Sequence, residues 1–145
     1  MNTARLVLIM GLLATSSVFA ADHKVKMVDE GAEGNMIFEP GFLQAKVGDT
    51  VTFVVHDPGH NVISRHVPPG ADNWKGTVNQ GFTVTLKKEG IYLYECDLHK
   101  MLGMVAVIQV GKPVNLAAAK VAAAELSKKM AMGAERLDEY MGKIQ

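Results

Sequence analysis

The chain has little cysteine and no net charge. Its 145 residues include a single cysteine, Cys96, and its 15 basic side chains balance 15 acidic ones. One thiol cannot form an internal disulfide, a four-cysteine zinc site, a cysteine-ligated iron–sulfur cluster or the CxxCH attachment of a c-type haem. A net charge of zero gives no reason to expect a surface that follows phosphate groups, so we expect no nucleic-acid partner.

Long hydrophobic runs are missing as well. The apolar run at 6–14 has nine residues, whereas a membrane-spanning helix needs about 20. It follows Arg5, and Val18-Phe19-Ala20 provides the small residues that a signal peptidase reads. We therefore predict that residues 1–20 form a signal peptide cleaved after Ala20. The mature protein would be exported to the periplasm, with no later segment that could enter a membrane.

Residues 21–111 consist of short apolar runs with turn residues between them. Several runs alternate apolar and polar residues with period two, as half-buried strands do. Glycine, proline and aspartate separate them. This pattern predicts an all-β fold, an antiparallel β-sandwich of seven or eight strands. The seven runs rich in β-branched and aromatic residues are 25–28, 36–38, 42–47, 51–55, 82–86, 91–94 and 105–110.

The last part of the chain, residues 112–145, has a helical pattern. Asn115 is a candidate N-cap for the alanine-rich segment 116–124, and Gly133 interrupts the region. We predict one or two helices that belong to the same domain, cover part of a sheet and carry no chemistry; the alternative is a helix that docks onto a partner. The apolar residues at helical spacing are Leu126, Met130, Leu137, Met141 and Ile144.

The side chains that can bind a metal are concentrated on one loop. Cys96, His99, Met101 and Met104 lie between two predicted strands, and His60 lies in a Gly-His-Asn turn that follows an earlier strand. Zinc has little use for a thioether, and calcium and magnesium prefer oxygen ligands. A thiolate, two imidazoles and a weak axial thioether are the ligands of a blue-copper site. Such a site accepts one electron and makes or breaks no bond.

The spacing C-x2-H-x4-M, together with the upstream G-H-N turn, resembles the small blue-copper proteins, the cupredoxins, and among them the pseudoazurins. The resemblance covers nearly all of residues 21–145. It implies a Greek-key β-sandwich for 21–111, with 112–145 as a helical extension that plastocyanin-type relatives lack. The other matching stretches are 31–34, 36–40, 48–53, 103–105 and the tail after Asn115-Leu116.

The resemblance also implies the ligands of one type 1 copper ion, which are His60, Cys96, His99 and Met104. Met101 is the rival axial ligand, but Met104 matches the family and Gly103 permits the sharp turn that the loop needs. Asn61 is expected to link the His60 turn to the Cys96 loop by hydrogen bonds. Met36 either packs near the exposed histidine, as its counterpart does in the family, or is an ordinary core methionine.

The function that follows is a periplasmic one-electron carrier and not an enzyme. By resemblance, its partners are a copper nitrite reductase or a c-type cytochrome, which a monomeric carrier would meet transiently at a surface near His99. Two alternatives remain open at this point. The chain could be a periplasmic copper chaperone or store, or Cys96 could be a nucleophile with His60 or His99 as its base.

Two residues beside the predicted ligands depart from the family. Glu95 stands where relatives often carry lysine, so the usual ring of lysines around the exposed histidine is incomplete. Leu98 stands where relatives usually carry proline, immediately before the second histidine ligand. The remaining candidates for that ring are Lys75 and Lys100, followed by Lys46, Lys87 and Lys88. Because charge steers the docking of such carriers, the sequence indicates the metal more strongly than it indicates the partner.

We expect the substitution Leu98→Pro to lower the reduction potential of the copper site. Leucine supplies a backbone N–H beside the thiolate, and a donor at that place withdraws charge from sulfur and favours Cu(I). Proline removes this donor. Voltammetry of the two proteins measures the effect, and an unchanged or higher potential in the variant would contradict the expectation.

Overall fold

A computed structural model describes residues 20–145 of the chain. The predicted signal peptide lies outside the described residues except for Ala20. Two helices follow the last strand, α1 (Leu116–Ser127) and α2 (Glu135–Met141). The eight strands are β1 (Asp22–Gly31), β2 (Gly34–Glu39), β3 (Phe42–Ala45), β4 (Thr50–Val55), β5 (Ile63–His66), β6 (Phe82–Thr85), β7 (Gly90–Glu95) and β8 (Val105–Val110).

The strands form two four-stranded sheets, in the orders β2-β1-β4-β6 and β3-β8-β7-β5. The predicted all-β sandwich is confirmed, but the expectation that it is antiparallel throughout is wrong. Strand β1 pairs in parallel with β4, and β3 pairs in parallel with β8. A period-two pattern shows which face of a strand is buried but not the direction of its neighbour, so the sequence could not reveal these parallel pairs.

One strand, β5, has no counterpart among the seven predicted runs. Its sequence, Ile63-Ser64-Arg65-His66, has a single aliphatic residue, and its pairing with β7 is irregular between Ser64 and His66. The strand therefore forms because β7 offers a partner edge, not because of its own β-propensity.

The main core lies between the two sheets and contains an aromatic cluster. The ring of Tyr94 on β7 packs edge-on against Phe38 and Phe53, with centroid distances of 4.9 and 5.1 Å. Trp74 stacks on Tyr92 at 5.7 Å. Such contacts stabilise a core beyond the area they bury and hold β7 in place. The strand that leads to Cys96 is therefore anchored by large buried rings.

The predicted C-terminal helices are confirmed, and there are two. Their buried residues pack on the outer face of the second sheet, with Ala119 and Tyr140 among the fully covered ones. Asn115 lies at the N-cap of α1, but its side chain does not cap the helix. Its Oδ1 accepts the N–H of Ile91 and its Nδ2 donates to the Ile91 carbonyl. Asn115 thus joins α1 to β7. None of the described helices is long and apolar enough to cross a membrane.

A buried carboxylate joins the start of β1 to the turn before β4. Asp49 accepts hydrogen bonds from the backbone N–H groups of Ala21 and Lys46, at 2.9 and 3.0 Å, and its Oδ2 lies 2.8 Å from Nε2 of His23. These contacts, the one to His23 foremost, lower the pKa of Asp49 from 3.8 to about 2. The ionised carboxylate therefore stabilises the fold.

The substitution Asp49→Asn is expected to lower the free energy of unfolding at neutral pH by about 2 kcal/mol. Since the pKa of Asp49 is depressed in the folded state, its contribution is present above about pH 4 and is lost as the pH falls from about 4 towards 2. The stability difference between parent and variant therefore shrinks across that window. Urea unfolding at neutral pH and at about pH 3 measures it.

The matched control is Asp72→Asn, which removes an exposed carboxylate 3.6 Å from Lys87. An exposed pair of this kind contributes less than about 1 kcal/mol, so the control is expected to behave as the parent. A stability difference for Asp49→Asn that does not change between neutral and acid pH would contradict this role for the carboxylate.

Candidate metal centre

Three side chains with metal-binding atoms converge at one end of the sandwich. Cys96 directly follows β7, His99 lies in the loop between β7 and β8, and His60 lies in the connection between β4 and β5. Although His60 and His99 are 39 residues apart in the chain, the parallel and antiparallel pairing brings their loops to the same end. The fold therefore assembles the three residues that the sequence predicts as a group.

The distances among these donors fit one bound metal ion. The Nδ1 atoms of His60 and His99 are 3.1 Å apart, and Cys96 Sγ lies 3.7 Å from His99 Nδ1. All three donor atoms lie within 4.8 Å of one another. Atoms that share an ion at bond lengths of about 2.0–2.3 Å lie about 3–4 Å apart. Two imidazole nitrogens and one thiolate sulfur in this arrangement are suited to copper.

The two histidines differ in exposure and in their hydrogen bonds. The His60 ring is fully buried, and its Nε2 lies 3.0 Å from Oδ1 of Asp29. His99 is partly exposed. Burial and the neighbouring His99 lower the pKa of His60, while the bond to Asp29 opposes that shift. If Nε2 of His60 carries the proton that Asp29 accepts, Nδ1 is left with a free lone pair for a metal.

The loop from Cys96 to Met104 is held by its own backbone. The N–H of Cys96 donates to the Met104 carbonyl at 2.9 Å, and the N–H groups of Leu102 and Met104 both donate to the carbonyl of His99. Gly103 adopts a left-handed conformation with φ of 71°, which glycine takes at little cost. The sharp turn predicted at Gly103 is present, and together with the backbone hydrogen bonds it closes the loop between Cys96 and Met104.

Asn61 links the two metal-binding loops, as predicted. Its Oδ1 accepts the backbone N–H of Asp97 at 2.9 Å and lies 3.6 Å from Cys96 Sγ. Its Nδ2 donates to the Gly76 carbonyl at 3.4 Å, and the whole side chain is buried. This amide fixes the position of Cys96 relative to the turn that carries His60.

The methionines near the site lie in different surroundings. Met104 is fully buried in the main core, whereas 51% of Met101 is exposed. Met36 is partly buried against the same core and has a positive φ of 49°, a backbone conformation that non-glycine residues rarely adopt. Leu98, with 55% exposure, and Met132, with 63%, are also exposed apolar residues, and the N–H of Met132 donates to the Met101 carbonyl at 3.2 Å.

Arg136, on α2, contacts the site, although no pattern in the sequence predicts this contact. Its Nη1 donates to the carbonyls of Met36 and Gly103 at 3.1 and 3.0 Å, and its Nη2 donates to that of Asn35 at 2.9 Å. The backbone of Gly133 packs so closely on Gly103 that a Cβ there would lie 2.7 Å from the Gly133 carbonyl oxygen. The C-terminal region covers part of a sheet, as predicted, and through Arg136 and Gly133 it also supports the loop that carries Gly103.

Glu95, beside the proposed ligand Cys96, is buried and paired. Its Oε1 accepts from Nε of Arg65 at 2.6 Å, and Arg65 also contacts Asp97, which bonds to Lys100 at 3.0 Å. The hydrogen bond from Lys100 lowers the pKa of Asp97, assisted by the charges of Arg65 and Lys75. The cations beside the site are thus largely neutralised. The sequence does not single out Arg65 or Asp29. Their respective partners, Glu95 and His60, lie 30 and 31 residues away along the chain.

Comparison with known proteins identifies the class. Residues 25–111 match the model of the family described as copper binding proteins, plastocyanin/azurin family. Pseudoazurin of Paracoccus pantotrophus is 41% identical over 129 residues, covering 87% of this chain and 86% of the relative. Pseudoazurin of Methylorubrum extorquens is 43% identical over 138 residues, covering 92% and 89%. The chain belongs to the copper-binding plastocyanin/azurin family.

Within that family the similarity is to pseudoazurins. The crystal structure of pseudoazurin from Methylobacterium extorquens AM1 superposes with a TM-score of 0.73 at 38% identity, covering 86% of this chain and 99% of that one. Pseudoazurin from Hyphomicrobium denitrificans gives the same TM-score at 35% identity. The resemblance to pseudoazurins and the cupredoxin fold are confirmed, as are the copper cofactor and the function of a blue-copper electron carrier.

Proposed function

We propose that His60, Cys96, His99 and Met104 would hold one copper ion, with the Met104 thioether as its weakest ligand. The observation that carries this proposal is the convergence of His60 Nδ1, His99 Nδ1 and Cys96 Sγ within 4.8 Å. The complete burial of Met104 and its place at the end of the closed loop support it over the exposed Met101. Bound there, the copper ion supplies a one-electron redox couple.

Electron transfer at this site would be fast because the surrounding residues move little between the two redox states. The backbone bonds of the Cys96–Met104 loop, Asn61 and the core packing of β7 hold the donors in place. His99 is the only one of the four proposed ligands that is partly exposed. We propose that electrons enter and leave through its ring edge, among the apolar side chains of Leu98 and Met101.

We further propose that the carrier works in the periplasm as a monomer and is not an enzyme. After cleavage of the signal peptide at Ala20, the copper-binding β-sandwich would extend over 21–111 and the helical extension over 112–145. The end of β8 at Val110 and the start of α1 at Leu116 support the internal boundary. The partners would be a copper nitrite reductase or a c-type cytochrome. Glu95 and Asp97 pair with nearby cations and so reduce the net charge of this surface. We therefore expect the partner proteins to dock mainly through the apolar side chains of Leu98 and Met101.

The alternatives receive less support from the geometry. A copper chaperone must hand its metal to another protein, but Cys96, His60 and Met104 are fully buried. A nucleophilic cysteine must be accessible to substrate, which the same burial opposes. Neither alternative accounts for the buried Met104 at the end of the hydrogen-bonded loop that begins at Cys96.

The visible absorption spectrum tests the proposed function. The protein is loaded with Cu(II), and its spectrum is recorded before and after reduction with ascorbate and again after reoxidation. We expect an intense visible band that disappears and returns with the electron, and fast exchange of that electron with a c-type cytochrome. A colourless protein that binds only Cu(I) would favour a chaperone, and fast alkylation of Cys96 in the copper-loaded protein would favour a nucleophile.

A further inference from the structure

One carboxylate contacts the site from outside the proposed ligand set. Asp29 lies near the end of β1, and its Oδ1 is 3.0 Å from Nε2 of His60. The His60 side chain is fully buried, whereas the Asp29 side chain is 53% exposed. A negative charge therefore lies against the nitrogen of His60 that faces away from Cys96 and His99.

The backbone fixes this carboxylate in position. The N–H of Asp29 donates to Oδ2 of Asp57 at 2.8 Å, and the N–H groups of His56 and Asp57 both donate to the carbonyl of Met27. These bonds join the end of β1 to the segment that leads into His60. The contact between Asp29 and His60 is thus part of a hydrogen-bonded unit and not a chance meeting of two surface side chains.

We propose that Asp29 is a positioning residue that lowers the reduction potential of the copper by accepting the Nε2 hydrogen of His60. The proposal rests on the proposed function, since it assumes that His60 Nδ1 binds the metal. A carboxylate on the remote nitrogen fixes the tautomer that leaves Nδ1 free and strengthens the imidazole as a donor. Its charge also favours Cu(II) over Cu(I), because the oxidised ion carries one more positive charge.

The hydrogen bond and the charge can be separated experimentally. Asparagine at position 29 retains a carbonyl oxygen that can accept the same Nε2–H, but it carries no charge. A purely structural role would survive this substitution. An electrostatic role would not, although water around the half-exposed carboxylate screens part of the effect.

The experiment compares Asp29→Asn with Glu30→Gln in the copper-loaded protein. Glu30 is the adjacent exposed acid, so its substitution makes the same change in net charge beside the contact. At a fixed applied potential, we expect Asp29→Asn to raise the ratio of Cu(I) to Cu(II) by at least about threefold. For one electron this corresponds to a rise in potential of about 28 mV. Glu30→Gln is expected to change the ratio of Cu(I) to Cu(II) by less than about half as much as Asp29→Asn does.

Three results would overturn the proposal. These are an unchanged ratio in Asp29→Asn, an equal rise in Glu30→Gln, or a His60 Nε2–H that exchanges fast with solvent in the cuprous protein. The last result is read by NMR on the parent and therefore needs no variant that folds. A parent without a blue band would refute the copper carrier and this role together. A blue parent whose potential Asp29→Asn leaves unchanged refutes only the role of Asp29.

Discussion

The substitution Cys96→Ser is expected to abolish the intense visible band of the oxidised protein. The band requires a thiolate bound to Cu(II), and Cys96 is the only cysteine in the chain. A hydroxyl is a harder and far less acidic group than a thiol, so serine does not replace the thiolate as a copper ligand. The redox cycle at the site is expected to be lost with the band. Absorption and electron paramagnetic resonance spectra of the copper-loaded proteins measure both effects.

The fold is expected to tolerate this change, which makes the spectral loss interpretable. The Cys96 thiol lies 3.6 Å from Oδ1 of Asn61, and a serine hydroxyl can donate to the same oxygen. The free energy of unfolding of the metal-free variant is therefore expected to lie within about 1 kcal/mol of that of the metal-free parent. The control is Met101→Leu, which alters the exposed methionine of the same loop and is expected to keep the band. A blue Cys96→Ser protein would remove Cys96 from the proposed ligand set.

Local patterns predicted most of the sandwich because its strands have one buried face. The alternation of threonine with apolar residues in β4 and β6 marks such strands, and the structure places both as expected. The direction of pairing is not encoded in that alternation, so the parallel pairs β1–β4 and β3–β8 were not predictable. Strand β5 was not predicted, because its pairing with β7 and not its own sequence makes it a strand.

The metal donors were predictable from the sequence because the combination of their side chains is unusual. A lone cysteine with a histidine and methionines on one loop leaves few metals to consider. The groups that support those donors were not predictable, since Asp29 and Arg136 are ordinary charged residues until the fold brings them close. Arg136 lies 33 residues from Gly103 and 100 from Met36, whose carbonyls it contacts. Only the preference of arginine for several acceptors at once could have marked it.

We expect Arg136→Met to lower the free energy of unfolding by about 3 kcal/mol. The guanidinium donates to carbonyls of Asn35, Met36 and Gly103, and methionine would leave these acceptors without their charged partner. Since charged hydrogen bonds contribute about 1.5–3 kcal/mol each and are not additive, the net loss is less than their sum. Denaturant unfolding of the metal-free protein measures it.

The same substitution is expected to loosen the metal-binding loop, because Arg136 bonds this loop to the start of β2. Copper affinity would then fall by about tenfold, the effect typical of residues that orient metal ligands, and a chelator would remove copper faster. Arg136→Lys is expected to recover only part of both losses, since one ammonium cannot match the geometry of the planar guanidinium. Lys120→Met, an exposed cation on α1, serves as the charge control and is expected to change neither quantity. If Arg136→Met and Lys120→Met were equally stable and released copper at equal rates, α2 would be a cover for the sheet and nothing more.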